Sequence, residues 1–223
     1  VQLGRRIYDN IRNAMRYLVA VHVPLAGVAF VPLVAGWPLL LLPVHVVFLE
    51  FVIDPACSLV FEAERGEPHA MDRPPRPRGE RLFTGASLTV AAMLGASVLA
   101  AVTVALAAAR AAGLGESQSR TVGFVALVAG NLALILAHRS ARLTIAEALR
   151  NRNTALWAIL TGACVALAIA IYVPAAAALF RFSPPPAAWL ALAALGGAGS
   201  IAWFDLYKLF KRRGDRAQRR RMR

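Results

Sequence analysis

Cysteine, charge and acid are all scarce in this chain. Two cysteines among 223 residues, Cys57 and Cys164, both lie inside apolar runs and form no evenly spaced set. That excludes a disulfide scaffold, and no zinc-ligand spacing is present either. Charged residues make up 17% of the chain and apolar residues 58%, where a soluble domain carries about 25% charged and about 45–50% apolar residues. The chain therefore reads as a membrane protein. Acids are fewest, 12 Asp and Glu against 25 Lys and Arg, for a formal charge of +13. A balance that basic points first to nucleic acid. Here, however, the charges are squeezed into short stretches between long apolar runs rather than spread over one polar face, so no nucleic-acid partner is expected.

A helix needs about 20 apolar residues to cross the hydrocarbon core of a bilayer. Runs of that kind lie at about 17–35, 39–61, 83–109, 121–137, 154–179 and 187–207. The expected fold is all-α: a polytopic membrane protein with six transmembrane helices. An even number of spans returns both termini to one side. Of the 25 basic residues, 22 fall in segments on the side of the termini, and only Arg110, Arg120 and Arg181 fall on the other. By the positive-inside rule both termini are cytoplasmic.

The expected divisions follow. Residues 1–16 form a cytoplasmic stalk helix, in which Arg5, Arg6, Arg12 and Arg16 surround Ile7, Tyr8, Ile11 and Met15, so this stretch is not a cleaved signal. Residues 17–61 form a two-helix hairpin, whose short Gly36-Trp37-Pro38 connection makes antiparallel neighbours, with Trp37 as an interfacial anchor. Residues 62–82 form a Pro- and Arg-rich cytoplasmic loop suited to docking. Residues 83–207 form a four-helix bundle in which Gly95, Gly130, Gly162, Gly196, Gly197 and Gly199 offer small-residue surfaces for close packing. Residues 208–223 form a basic tail, read as a solvated charge that retains it in the cytoplasm, with contact of Lys211 to Arg223 with anionic lipid as the alternative.

Carboxylates within a span cost about 2.5–3.5 kcal/mol each on insertion scales, so they usually face a cavity and mark an ion path. Two of the twelve acids lie mid-span, Glu50 and Asp54. A spacing of four puts both on one helical face, with Ser58 continuing the stripe. Their repulsion raises the proton affinity of one or requires a bound cation, the alternative being a buried structural pair satisfied by His22 or by hydroxyls. Pro55 lacks an N–H, which frees carbonyls about one turn earlier, around Phe51, and carbonyls beside carboxylates suit a hard cation. The first span carries Pro24, Gly27 and Pro32 with His22 nearby, so it is expected to break in the same manner. His22 is then either a satisfied polar group or a member of the site. His45 reads as structural, and Asn131 either faces the same cavity or bridges two helices.

The stretches GRRIYDNIRNAMRYL, LLPVHVVFLEFVIDPACSLVFEAE and HAMDRPPRPRGERLF follow one another in a way that resembles the C-terminal membrane region of P-type cation-transporting ATPases, in the branch that includes calcium pumps. The resemblance rests on Gly4, Arg5, Ile7, Tyr8 and Asn10, on Asp54, and on Met71, Arg73, Pro74, Pro75 and Arg76. It is specific over residues 4–83, and beyond that it rests on helix count and topology. It implies that the six spans are that family's fifth to tenth membrane helices and that Asp54 is the sixth-helix aspartate that coordinates transported cations. It also marks departures. Glu50 stands where an asparagine ligand is usual, Ile53 where a threonine is, His22 where an asparagine is and Leu25 where a glutamate is, so the implied site is acidic but rearranged.

The resemblance further implies a transported cation, calcium or another hard cation, bound by Glu50, Asp54 and His22. ATP and Mg2+ would act on upstream actuator, phosphorylation and nucleotide-binding domains. The Asp-Lys-Thr-Gly and Thr-Gly-Glu motifs of those domains do not occur in these residues, and no initiator Met precedes the stalk. The expectation is thus the C-terminal portion of a longer pump in a bacterial plasma membrane, unable to hydrolyse ATP by itself and without catalytic residues of its own. The rival readings are a stand-alone six-helix, proton-coupled cation carrier or channel, and a purely structural membrane subunit.

Overall fold

The computed structural model describes residues 2–64, 84–139 and 153–208, apart from the side chains of Asp54 and Cys57. Most of the expected Pro- and Arg-rich loop and almost all of the basic tail lie outside the described residues. The helices are α1 (Gln2–Ala35), α2 (Pro43–Pro55) continuing into a π-helical turn (Ala56–Val60), α3 (Gly85–Ala111), α4 (Glu116–His138), α5 (Thr154–Tyr172), α6 (Pro174–Phe180) and α7 (Ala187–Gly199). No strand occurs among the described residues. Among the described residues, six helical stretches are long and apolar enough to cross a membrane: Gln2–Ala35, Pro43–Val60, Gly85–Ala111, Glu116–His138, Thr154–Tyr172 and Ala187–Lys208.

The helix α1 runs without interruption through Pro24 and Pro32, both buried inside it. The expected break in the first span is therefore absent, because a helix in a bundle can re-satisfy the few backbone groups that proline frees. At 34 residues, it is about 51 Å long against a hydrocarbon core of about 30 Å, so roughly two fifths of its length exceeds the apolar layer. The expected stalk and first span are one continuous helix.

Local chemistry sets the other boundaries. Thr84 and Ser87 exchange side-chain and backbone bonds at the start of α3, a reciprocal capping box. Asn153 caps α5 by accepting from the Leu156 N–H at 3.0 Å. The fifth span ends at Tyr172 rather than running on to 179, since Pro174 opens the separate helix α6. That helix stops at Arg181, whose φ of 51° is left-handed.

The core is made by α1, α3, α4 and α7, with α4 buried over almost its whole length. Lipid is as apolar as leucine, so helices in a bilayer associate through close packing rather than through removal of apolar surface from water. The glycines show where that happens. A Cβ at Gly95 would strike the Ala20 carbonyl oxygen of α1, one at Gly130 would strike Val98 of α3, and one at Gly197 would strike the Ala126 carbonyl oxygen of α4. Gly162, Gly196 and Gly199 have open space instead, so only three of the six expected contact glycines are at contacts.

The second span stands apart from this quartet. It packs against α5 and α6, sets His45 and Phe48 against Phe124 of α4, and meets α1 chiefly at the π turn and the residue after it, where the rings of Tyr17 and Phe61 lie 5.5 Å apart. The short loop does not make the first two spans close neighbours along their length.

Candidate cation site

The helix α2 begins at Pro43, whose missing N–H costs nothing at a first helical position. His45 Nδ1 accepts the Leu42 N–H at 2.9 Å, so this imidazole caps the helix from within. Its ring is fully buried among Phe124, Phe180 and Phe182, with centroids 4.9, 5.3 and 5.0 Å away.

Two turns further along, Glu50 is half-buried. Asp54 follows on the same face by its spacing, and its side chain lies outside the described residues. Beyond Pro55 the helix widens into the π turn, and the Ala56 N–H bonds to the Val52 and Ile53 carbonyls. The Phe51 side chain is exposed. Single-turn π bulges are uncommon and concentrate at functional sites.

The remaining candidates are placed separately. His22 is exposed on α1, and its Nδ1 lies 2.7 Å from the Leu18 carbonyl of its own helix. Asn131 is buried in α4 with neither amide atom hydrogen-bonded. Among the described residues, no three His, Cys, Asp or Glu side chains gather in a group that could hold a metal ion.

Beside the packing of His45 and Phe48 on Phe124 and Phe180, a set of polar ties holds this helix at its two ends. At the end shared with the N-terminus, Glu64 Oε2 accepts from Arg139 Nε at 2.6 Å, an ion pair with the arginine 1% and the glutamate 11% exposed. Asn153 Nδ2 donates to the Val60 carbonyl (3.2 Å) and to Glu64 Oε2 (3.3 Å). From α1, Arg6 donates to the Glu64 and Glu62 carbonyls (3.0 and 3.1 Å), and Asn10 donates to the Glu64 carbonyl (3.2 Å). Asn13 donates to the Arg139 carbonyl at 3.2 Å. Nearby, the buried Lys208 Nζ donates to the Ala137 carbonyl at 2.7 Å, a cation on the negative end of α4.

At the opposite end, Arg120 of α4 donates to the Leu39 carbonyl (3.2 Å), the Arg181 carbonyl (3.3 Å) and Glu116 Oε1 (2.6 Å). Thr121 Oγ1 donates to the Ser183 carbonyl (3.0 Å) and accepts the Ser183 N–H (3.3 Å). Arg110 stacks over Trp37 at 5.5 Å. The three basic residues that stand apart in the charge count thus meet at one end of the bundle.

Sequence reasoning missed both ties. Glu64 and Arg139 read as loop charges 75 positions apart, with nothing local to link them. Arg120 carried a faint signal, as a rare basic residue four positions after Glu116.

The chain matches the family model for the C-terminus of cation-transporting ATPases over residues 38–210. Among curated proteins it is 32% identical over 87 residues to a calcium-transporting ATPase of Bacillus cereus, covering 38% of this chain and 10% of that protein. It is 26% identical over 98 residues to one of Lactococcus lactis, covering 44% of this chain and 11% of the relative. It is also 26% identical over 140 residues to one of Listeria monocytogenes, with 63% and 16% covered. The chain spans only about a tenth to a sixth of the length of these relatives. With six membrane-capable helices arranged around a helical core and the model matched across most of the chain, this multi-pass membrane protein belongs to the cation-transporting P-type ATPases, as their C-terminal transmembrane region.

Proposed function

We propose that this region supplies the intramembrane cation site and the coupling stalk of an ATP-driven pump. Glu50 and Asp54 bind the cation from α2, and His22 supports them or carries a counter-transported proton. ATP and Mg2+ act on upstream actuator, phosphorylation and nucleotide-binding domains of the same protein. Phosphorylation there shifts the projecting part of α1, and that displacement switches the site between two sides of the membrane through differential contacts. Both termini are cytoplasmic, in a bacterial plasma membrane, and the loop around residues 65–81 docks on the phosphorylation domain. Membrane lipid covers the apolar faces.

The observation that carries this reading is the family match over residues 38–210, which includes two carboxylates on a span where each costs about 2.5–3.5 kcal/mol to insert. The named activity of the relatives makes calcium the first cation to try. The test uses the full-length protein in vesicles. Glu50→Gln or Asp54→Asn should abolish cation-stimulated ATP hydrolysis, or raise the half-maximal cation concentration by about tenfold or more, equivalent to about 1.4 kcal/mol of lost binding. Wild-type transport in both variants would remove the carboxylates from the site, and a screen of stimulating ions identifies the cargo.

A further inference from the structure

We infer that Asn153, together with Glu64 and Arg139, holds the π turn Ala56–Val60 in place and so sets which face of α2 carries Glu50 toward the rest of the bundle. These are positioning residues, and none of them touches the cargo in this account.

The geometry begins with the Val60 carbonyl. In a continuing α-helix it would accept the N–H of residue 64. Here the Glu64 N–H turns back to the Phe61 carbonyl at 3.3 Å, and the Val60 carbonyl accepts Asn153 Nδ2 at 3.2 Å instead. Asn153 is a rigid anchor because its other amide atom caps α5 at 3.0 Å. Its Nδ2 also meets Glu64 Oε2, which the buried Arg139 holds at 2.6 Å. A carboxamide and a charge pair thus fasten Val60, the last residue of the π turn, and Glu64 beyond it from the start of α5 and the end of α4.

A π turn carries one residue more per hydrogen-bonded ring than an α turn. Rewinding it to α shifts everything N-terminal to it by about one residue, a rotation of about 100° and a rise of about 1.5 Å. On α2 the present face matters, since Val46, Val47 and Phe51 are exposed whereas Leu49, Val52 and Ile53 are buried. The rotation exchanges these sets and carries Glu50 with them. Pro55 sits at the junction and lacks the N–H that an unbroken α ladder needs, which biases the turn toward π. Arg6 and Asn10 of the projecting α1 hold the adjoining Glu62 and Glu64 carbonyls, so the stalk is fastened to the same knot.

The test is a distance measurement in the full-length protein reconstituted in liposomes, with native cysteines replaced by serine. Spin labels are placed at Phe51→Cys on α2 and at Val104→Cys on α3, both exposed positions. In Asn153→Ala the Phe51 label should move by about 8 Å, the chord of a 100° turn at the surface of a helix about 11 Å across. Pro55→Ala, which leaves the knot untouched, should move the label in the same direction by restoring the missing donor. Unchanged distances in both variants overturn the inference. So does a merely broadened distribution in Asn153→Ala with no shift in Pro55→Ala, which is what loss of a plain structural contact gives. The consequence for transport rests on Glu50 being a cation ligand, and cation-stimulated ATP hydrolysis separates the two. A label that moves while cation affinity stays within about twofold upholds the positioning role and counts against Glu50 as a ligand.

Discussion

The quartet of α1, α3, α4 and α7 and the second span α2 are built on different principles. The quartet is joined along its length by small residues that let backbones touch, as at Gly95 against Ala20 and Gly197 against Ala126. The second span has few such contacts; beside the aromatic packing of His45 and Phe48, it is tied at its ends by polar side chains, through Arg120 on the Leu39 carbonyl at one end and Asn153, Arg6 and Asn10 on carbonyls and the Glu64–Arg139 pair at the other. Packing of the first kind is distributed and stiff. Ties of the second kind can be exchanged one at a time while the middle of the helix changes its surroundings. An acid-bearing helix in a bilayer is more useful with that freedom than without it.

The sharpest way to break the contrast is at the buried ion pair. Glu64→Ala removes the carboxylate from Arg139 and should cost about 3 kcal/mol, whereas Glu64→Leu combined with Arg139→Met should recover most of it. Thermal unfolding of the purified protein in detergent compares the three. A double variant no better than the single would mean that shape at this end, not charge, holds α2.

Overpacking probes the quartet. Gly95→Val or Gly197→Val should destabilise by about 1–3 kcal/mol, because the added methyls meet backbone. Gly162→Val and Gly196→Val should stay within about 0.5 kcal/mol in the same melt, since open space surrounds both. Equal effects at all four positions would erase the distinction between packed and open helix faces.

A smaller change is expected at the other tie. Arg120→Met removes donors from the Leu39 and Arg181 carbonyls and should cost about 1 kcal/mol, the modest net value of interhelical hydrogen bonds in bilayers. Hydrogen exchange should then quicken over residues 39–45 and leave α3 unchanged. The smallest effect belongs to Phe51→Ala, on the exposed face of α2, with stability altered by no more than about 0.5 kcal/mol.

The six spans were legible because a bilayer imposes a length on apolar runs, and the second span of 18 residues matches that length closely. The helical start of α1 was legible from its arginines spaced among apolar residues. The unbroken passage of α1 through Pro24 and Pro32 was not, since whether a proline breaks a helix depends on neighbours far away in sequence. The π turn was hidden for a related reason: Pro55 announces a disturbance, but its form is decided by Asn153, which lies 98 positions away and reads locally as no more than a helix cap. Glu64 and Arg139 belong to the same class. Of the proposed site, Glu50 was singled out by its cost in hydrocarbon, while the exposed placement of His22 depended on which face of α1 the quartet uses.

The uninterrupted α1 has a mechanical consequence. A helix with no break along its length tips or slides as one piece, and its natural pivot is where its backbone is closely held, at Ala20 against Gly95. That fulcrum lies near the middle of Gln2–Ala35, so the two arms are nearly equal. A swing of the Gln2 end is therefore returned at the Ala35 end with similar amplitude and opposite sense. The loop that leads into α2 hangs from that far arm, so one motion of the stalk reaches the second span from both ends at once.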